Sequence, residues 1–414
     1  MAKRKSSDKT RRSVNETSRR DEDSEARGGD AEEARAPARA KGGGGVAAWA
    51  RSLEWDLVGR MLALKALVLF FGWQAYQVLS NQTSATWRGR LEIWNRWDAL
   101  HYLALSQHGY TATGERAIQI AFFPLYPWLT RLVAFFLSDH LVSAFVVSAV
   151  CSVAAGLLLK RLVEADYGAG VARDAVWFML IYPTSYFLHI PYTESLTLAL
   201  VIGSFYAARR NSWAAAGLLG AAASLSRING MVLGPALAVE IFMQYRATRR
   251  WDWRWLWVLV IPAGLAGYLL LNKYVTGNAF TFLSVQQSFW SKTLTWPWRG
   301  VGGAYGSIWG RAPSEALMVG WQEVFFALVG LACTVYSWVR LRPSYAVWMT
   351  LNWLLFTSTS FMLSAPRYTL ILFPVFIIFA MLSARAAWRW VITAWSLLYL
   401  SLFVGQFVQG RWAF

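Results

Sequence analysis

Between Leu141 and Leu159 nineteen consecutive residues carry no charge, about the length an α-helix needs to cross the roughly 30 Å hydrocarbon core of a bilayer. In hydrocarbon every backbone N–H and C=O must be paired within the segment, so such a run is confined to a helix. Further apolar runs follow along the chain. Of 414 residues 56% are apolar and 15% charged, against roughly 25% charged in soluble domains. Nine of the 23 acids fall within the first 33 residues, which leaves the remainder poorer still in charge. The chain reads as an all-α polytopic membrane protein.

Residues 1–50 read as a disordered, charged cytoplasmic tail, because a mixed-charge, Gly/Ala/Arg-rich stretch buries too little apolar surface to order itself. The tail has no apolar core of a secretory signal, and its "DED" is an accidental match to a metal-binding DxD pattern. Residues 51–414 form the membrane domain. The net charge of +17 does not point to nucleic acid, since the basic residues sit in short clusters between apolar runs, as positive-inside topology requires. Cys151 and Cys333 lie within expected spans, without CxxC or metal-ligand spacing.

With the tail cytoplasmic, the Lys/Arg clusters order the spans. Leu57–Leu79 runs outward and Leu141–Leu159 returns to Lys160 and Arg161. Two short hairpins, 175–208 and 213–245, turn outside at "HIPYTES" and "SRING". Trp255–Leu271 leads out to a loop of about forty residues, by the same basic-cluster bias. Ala316–Val339, Tyr345–Leu363, Thr369–Leu382 and Val391–Phe407 complete about eleven spans, with the dense basic clusters on one side. "FFPLYPWLTRLVAFF" (122–136) has Arg131 and two prolines, which fit an interfacial helix better than a span.

The polar residues that topology leaves unexplained gather on the outer side, among them Asp98, His101, Glu194, Arg227, Lys292 and Arg367. Asp98 in "RWDALHY" has a tryptophan beside it that would raise its pKa and Arg96 nearby that would lower it. In a helix it shares a face with His101 and Tyr102. It suits a general base, or alternatively a helix N-cap or an ion-pair partner of Arg96. Glu194 and Arg227 sit at equivalent turns of adjacent hairpins, where they form a salt bridge, line a polar cavity, or both. Arg367 in "SAPRY" offers a guanidinium to a phosphate, or snorkels to the interface. No HExxH, GxxxxGKS, GxSxG or GxGxxG motif is present.

In order, "WDALHYLALSQHGY", "AFFPLYP", "PTSYFLHIPYTESL", "SRING", "GNAFTFLSVQQSFW" and "SAPRYTLILFPVF" resemble the PIG-V family, the second mannosyltransferase of glycosylphosphatidylinositol assembly, and especially its bacterial relatives. The resemblance runs from Trp94 to Pro374. It implies a GT-C glycosyltransferase fold with about eleven transmembrane helices and a first outer loop carrying juxtamembrane helices. It also implies a polyprenyl-phosphate sugar donor, a lipid or glycan acceptor and work on the non-cytoplasmic face of the plasma (inner) membrane. Asp98 matches the family's catalytic acid. Glu194, with Tyr192 in the same "YTES", matches its Y-[ST]-E-S segment. Arg227 and Gly230 match R-x-N-G, and Arg367 and Tyr368 match a PRY motif.

Both lines of reasoning fit an inverting displacement with Asp98 as base. His101 and Tyr102 position the acceptor or the carboxylate, and the arginines face the leaving phosphate. No tightly bound cofactor is expected, and a divalent metal is left open. A lipid-linked glycan transporter is the alternative, as is a GT-C enzyme with another donor sugar.

Overall fold

The structure, a computed structural model, describes residues 54–414; the tail expected over 1–50 lies outside the described residues. Among these the chain is almost entirely helical, with one isolated antiparallel bridge, Leu294 to Thr359. The helices are α1 (Trp55–Ser80), α2 (Trp87–Glu92), α3 (Asp98–His108), α4 (Leu125–Leu137), α5 (His140–Tyr167), α6 (Ala169–Ile181), α7 (Glu194–Arg209), α8 (Trp213–Ser226) and α9 (Leu233–Thr248). There follow α10 (Pro262–Thr276), α11 (Thr281–Trp290), α12 (Pro297–Gly306), α13 (Pro313–Glu315), α14 (Gln322–Arg340), α15 (Pro343–Thr357), α16 (Ala365–Ile371), α17 (Pro374–Leu382) and α18 (Ala386–Val408).

Local chemistry sets many of these boundaries. Asp139 caps α5 by accepting from the amides of Leu141 and Val142 at 2.8 and 3.1 Å, and Gly168, at φ +88°, ends it. Prolines open α10, α12, α15 and α17, where a missing N–H costs nothing. Four stretches are long and apolar enough to cross a membrane: His140–Tyr167, Trp253–Thr276, Pro313–Arg340 and Ala386–Val408. Two broken pairs join them if each is a single span: Glu115–Ala121 with Leu125–Leu137, bent by 112°, and α16 with α17, bent by 86°. The protein is a multi-pass membrane protein.

The expected short hairpins are present as α6–α7 and α8–α9. At 1.5 Å per residue, the 13 residues of α6 and the 14 of α8 span only about 20 Å, less than the hydrocarbon core. Neither helix is long enough to cross the core alone, and irregular backbone at the end of such a helix survives in hydrocarbon only if protein or a polar cavity satisfies it. These short helices occupy the centre: α7 is buried along most of its length, and α17 is buried from Pro374 to Ala380. Most of the segment 122–136 lies in α4, after the bend at Phe122–Pro124, and its Arg131 donates to the carbonyls of Leu105 and Ser106, the latter at 2.6 Å. That bond satisfies the last turn of α3 and ties the first loop together.

Candidate functional site

The two hairpin turns and the break before α16 meet at one end of the bundle. Glu194, the first residue of α7, is fully buried, and one carboxylate oxygen accepts from both Arg227 and the Nε of Arg367. Arg367 reaches onward through Nη1 to Asp98 Oδ2 at 2.6 Å. The result is a continuous chain of alternating charge, Arg227–Glu194–Arg367–Asp98, drawn from four separate stretches of sequence. Arg367 is 6% exposed, whereas the Asp98 side chain is 30% exposed, so Asp98 is the end of the chain open to a substrate.

Aromatic rings hold the cations in place. The Arg367 guanidinium lies 4.7 Å from the Tyr192 ring centroid and 5.1 Å from that of Phe187, and Arg227 lies 5.3 Å from Tyr368. Lys292 also approaches Tyr368, 5.6 Å from its ring centroid, and donates to its hydroxyl at 3.3 Å. Tyr192 also donates to the carbonyl of Arg96 at 3.0 Å, fixing the chain two residues before Asp98.

Backbone strain brackets the Asp98–Arg367 pair. Trp97 adopts φ +54°, ψ −121°, a region a bulky residue avoids at a cost of order 1–3 kcal/mol. Its ring is held edge-on to Trp412 at 5.2 Å. Ser364, before α16, has φ +76°. The buried carboxylate of Glu323 pins it, accepting from the amides of Ser364 and Ala365, each at 2.6 Å. Just before α14, Ala316–Trp321 forms a π-helical stretch, a feature frequent at functional sites.

Asp98, His101 and Tyr102 do lie on one helix, α3. Asp98 is neither its N-cap nor the partner of Arg96, whose Nε donates to the carbonyl of Ile93. The expected influence of the neighbouring tryptophan is also displaced. Burial does push the Asp98 carboxyl up, but the charge and hydrogen bond of Arg367 outweigh it, and the group is held below its ordinary value. His101 stacks on Phe122 at 4.7 Å, and burial lowers its pKa against the pull of Asp98. Tyr102 is buried edge-on to Phe122, Tyr126 and Tyr192.

Glu194 and Arg227 are partners, as their equivalent turns suggest, and Arg367 points inward instead of snorkelling. Sequence reasoning missed Glu323. An acid inside a long apolar helix is costly unless paired, and that was the available signal. It also left the asparagine of "SRING" without a role: Asn229 donates to Asn352 at 2.7 Å, both side chains being buried. Among the described residues no three His, Cys, Asp or Glu side chains converge as a metal site would require.

No protein-family model and no curated protein sequence matches the chain. Solved structures show a distant likeness. The structure of ArnT from Cupriavidus metallidurans bound to undecaprenyl phosphate aligns at a TM-score of 0.40 and 15% identity, over 85% of this chain and 78% of that one. The Archaeoglobus fulgidus oligosaccharyltransferase complex with zinc and sulfate aligns at 0.43 and 13%, over 84% of this chain and 53% of that one. AglB from the same organism, with an inhibitory peptide and a dolichol-phosphate, aligns at 0.42 and 13%, over 85% and 56%. The chain spans about half the length of the archaeal chains in these two structures. At such scores the backbones agree only in part.

Proposed function

We propose that the chain is an integral membrane glycosyltransferase of the GT-C type, moving a sugar from a polyprenyl-phosphate donor to a lipid or glycan acceptor. Mannose is the sugar suggested by the PIG-V resemblance. The observation that carries the reading is the charge chain ending in Asp98. It sets a partly open carboxylate beside a buried guanidinium at the end of short apolar helices. A carboxylate can take the proton of an acceptor hydroxyl, and cations beside it can stabilise the charge that develops on a departing phosphate. Arg227, Arg367 and Lys292 supply that positive field. The N-terminal tail is cytoplasmic in this reading and the site faces the opposite side.

The reaction is an inverting displacement. The acceptor oxygen bonds to the anomeric carbon, the carbon–oxygen bond to phosphate breaks on the opposite face, and Asp98 receives the hydroxyl proton. His101 and Tyr102, packed around Phe122, shape the wall beside Asp98 and orient the acceptor.

Transfer from labelled polyprenyl-phosphate mannose to a membrane lipid extract tests this. Asp98→Asn should lose about 10²–10⁴-fold in rate, the usual contribution of a general base. Near-normal transfer by the folded variant would remove Asp98 from the role. The 86° break between α16 and α17 favours a second reading, since broken helices also line the binding sites of transporters. Movement of the lipid head group across a vesicle bilayer without any product would favour that one.

A further inference from the structure

In the structure the candidate base is already engaged. Asp98 Oδ2 accepts from Arg367 at 2.6 Å, and the positive charges of Arg227 and His101 also act on the carboxylate, with the Tyr102 and Tyr192 hydroxyls within its field. A carboxylate held by a guanidinium is a weak base, because the charge that would attract the proton is already spent on the cation. Arg367 is in turn held on its Nε side by Glu194, which also holds Arg227. The arginine therefore has one firmly anchored edge and one edge, Nη1, directed to the partly open carboxylate.

We propose that Arg367 is an exchangeable partner: a bound phosphate competes with Asp98 for its outer edge, and the competition releases Asp98 as the base. The inference rests on the polyprenyl-phosphate reading of the site. Binding sets up the exchange, and the charge balance of the reaction then favours the exchanged arrangement. Before transfer the donor phosphodiester carries one negative charge and Asp98 another. As the acceptor oxygen bonds to the anomeric carbon, the electron pair of the breaking bond goes to the phosphate, and the proton of the hydroxyl goes to Asp98. One negative charge thus disappears from the Asp98 side of Arg367 and one appears on the phosphate side. A guanidinium anchored by Glu194 between the two stabilises the phosphate more as the reaction advances, with little movement of its own. Arg367 then links departure of the leaving group to proton removal.

A double-mutant cycle on ligand binding tests the exchange. Binding of undecaprenyl phosphate to the detergent-purified full chain is measured by titration calorimetry at pH 7 for wild type, Asp98→Asn, Arg367→Ala and the double variant. Exchange predicts that Asp98→Asn binds about tenfold tighter than wild type, since the phosphate no longer competes for Arg367, and that the same substitution changes affinity less than about twofold when Arg367 is absent. Asp98→Ser takes the same place in the cycle should the asparagine variant not fold. Equal tightening in both backgrounds would show simple repulsion between carboxylate and phosphate, and no tightening would show no competition. Either result overturns the exchange and leaves the donor reading standing. Failure of the wild type to bind undecaprenyl phosphate would overturn both.

Discussion

Asp98 shows how far a residue's neighbours in sequence can mislead about its chemistry. Arg96 and Trp97 immediately precede it, yet neither decides its protonation: Trp97 turns to Trp412, and Arg96 to the carbonyl of Ile93. The deciding group is Arg367, 269 positions away. Motif spacing flagged both residues without showing that they touch, because the contact is made by the folding of two hairpins that separate them. The pH dependence follows from the direction of the shifts. In the free protein Asp98 is held below its ordinary value, so it stays ionised until the pH falls through that lowered value, and kcat/KM should keep its plateau into the acid range. Once phosphate draws on Arg367 the carboxyl rises toward the ordinary carboxylate range, and kcat should fall at a higher pH than kcat/KM does. His101, whose imidazolium is disfavoured by burial, stays neutral at pH 7 and adds no inflection above it. The two profiles report free and bound forms respectively; acid limbs at the same pH would count against the coupling.

At the scale of elements, the hairpins were legible because each is two apolar runs joined at a polar turn and bounded by arginines. The paired turn residues Glu194 and Arg227 followed from that symmetry. What periodicity could not show is how helices end. The positive φ of Ser364 is set by a tertiary partner, the carboxylate of Glu323, and not by local propensity, whereas the break between α16 and α17 falls at Pro374, which cannot continue a helix. Gly230 illustrates a helix end set by close approach. A Cβ there would collide with the backbone of Ala223 and Ser224, the last turn of α8, so only glycine lets the chain fold back beneath Arg227. Gly230→Ala should destabilise the protein by about 1–3 kcal/mol, the usual range for overpacking, visible as a lower midpoint in thermal unfolding. The site should suffer too, because the turn that must shift carries Arg227. Transfer activity falling further than the unfolded fraction explains would confirm that the turn positions the arginine.

The whole molecule has a second charged centre that topology rules alone do not reveal. Arg209 and Arg342 read in sequence as members of basic clusters that orient the spans. In the structure both are committed to buried acids at the end of the bundle opposite the site. Arg209 meets Asp166 at 2.5 Å, Arg342 meets Glu240 at 2.9 Å, Ser344 donates to Glu240 at 2.9 Å, and Tyr345 donates to Asp166 at 2.6 Å. The network ties α5, α7, α9 and the start of α15 together. The 16 residues of α7 separate it from Glu194 by about 24 Å. Removing Glu240 takes a fully buried carboxylate from Arg209 and Arg342, which are each about a quarter exposed and keep Asp166, so the cost approaches but does not exceed the roughly 3–5 kcal/mol of a broken buried pair. Glu240→Ala should therefore lower the thermal midpoint strongly while leaving the affinity for undecaprenyl phosphate, measured well below that midpoint, within about twofold of wild type, because well-separated sites act additively. A matching loss of affinity would mean that the clamp at one end sets the geometry of Arg227 and Arg367 at the other. The bundle would then behave as a coupled unit in which the short central helices transmit strain between two charged ends.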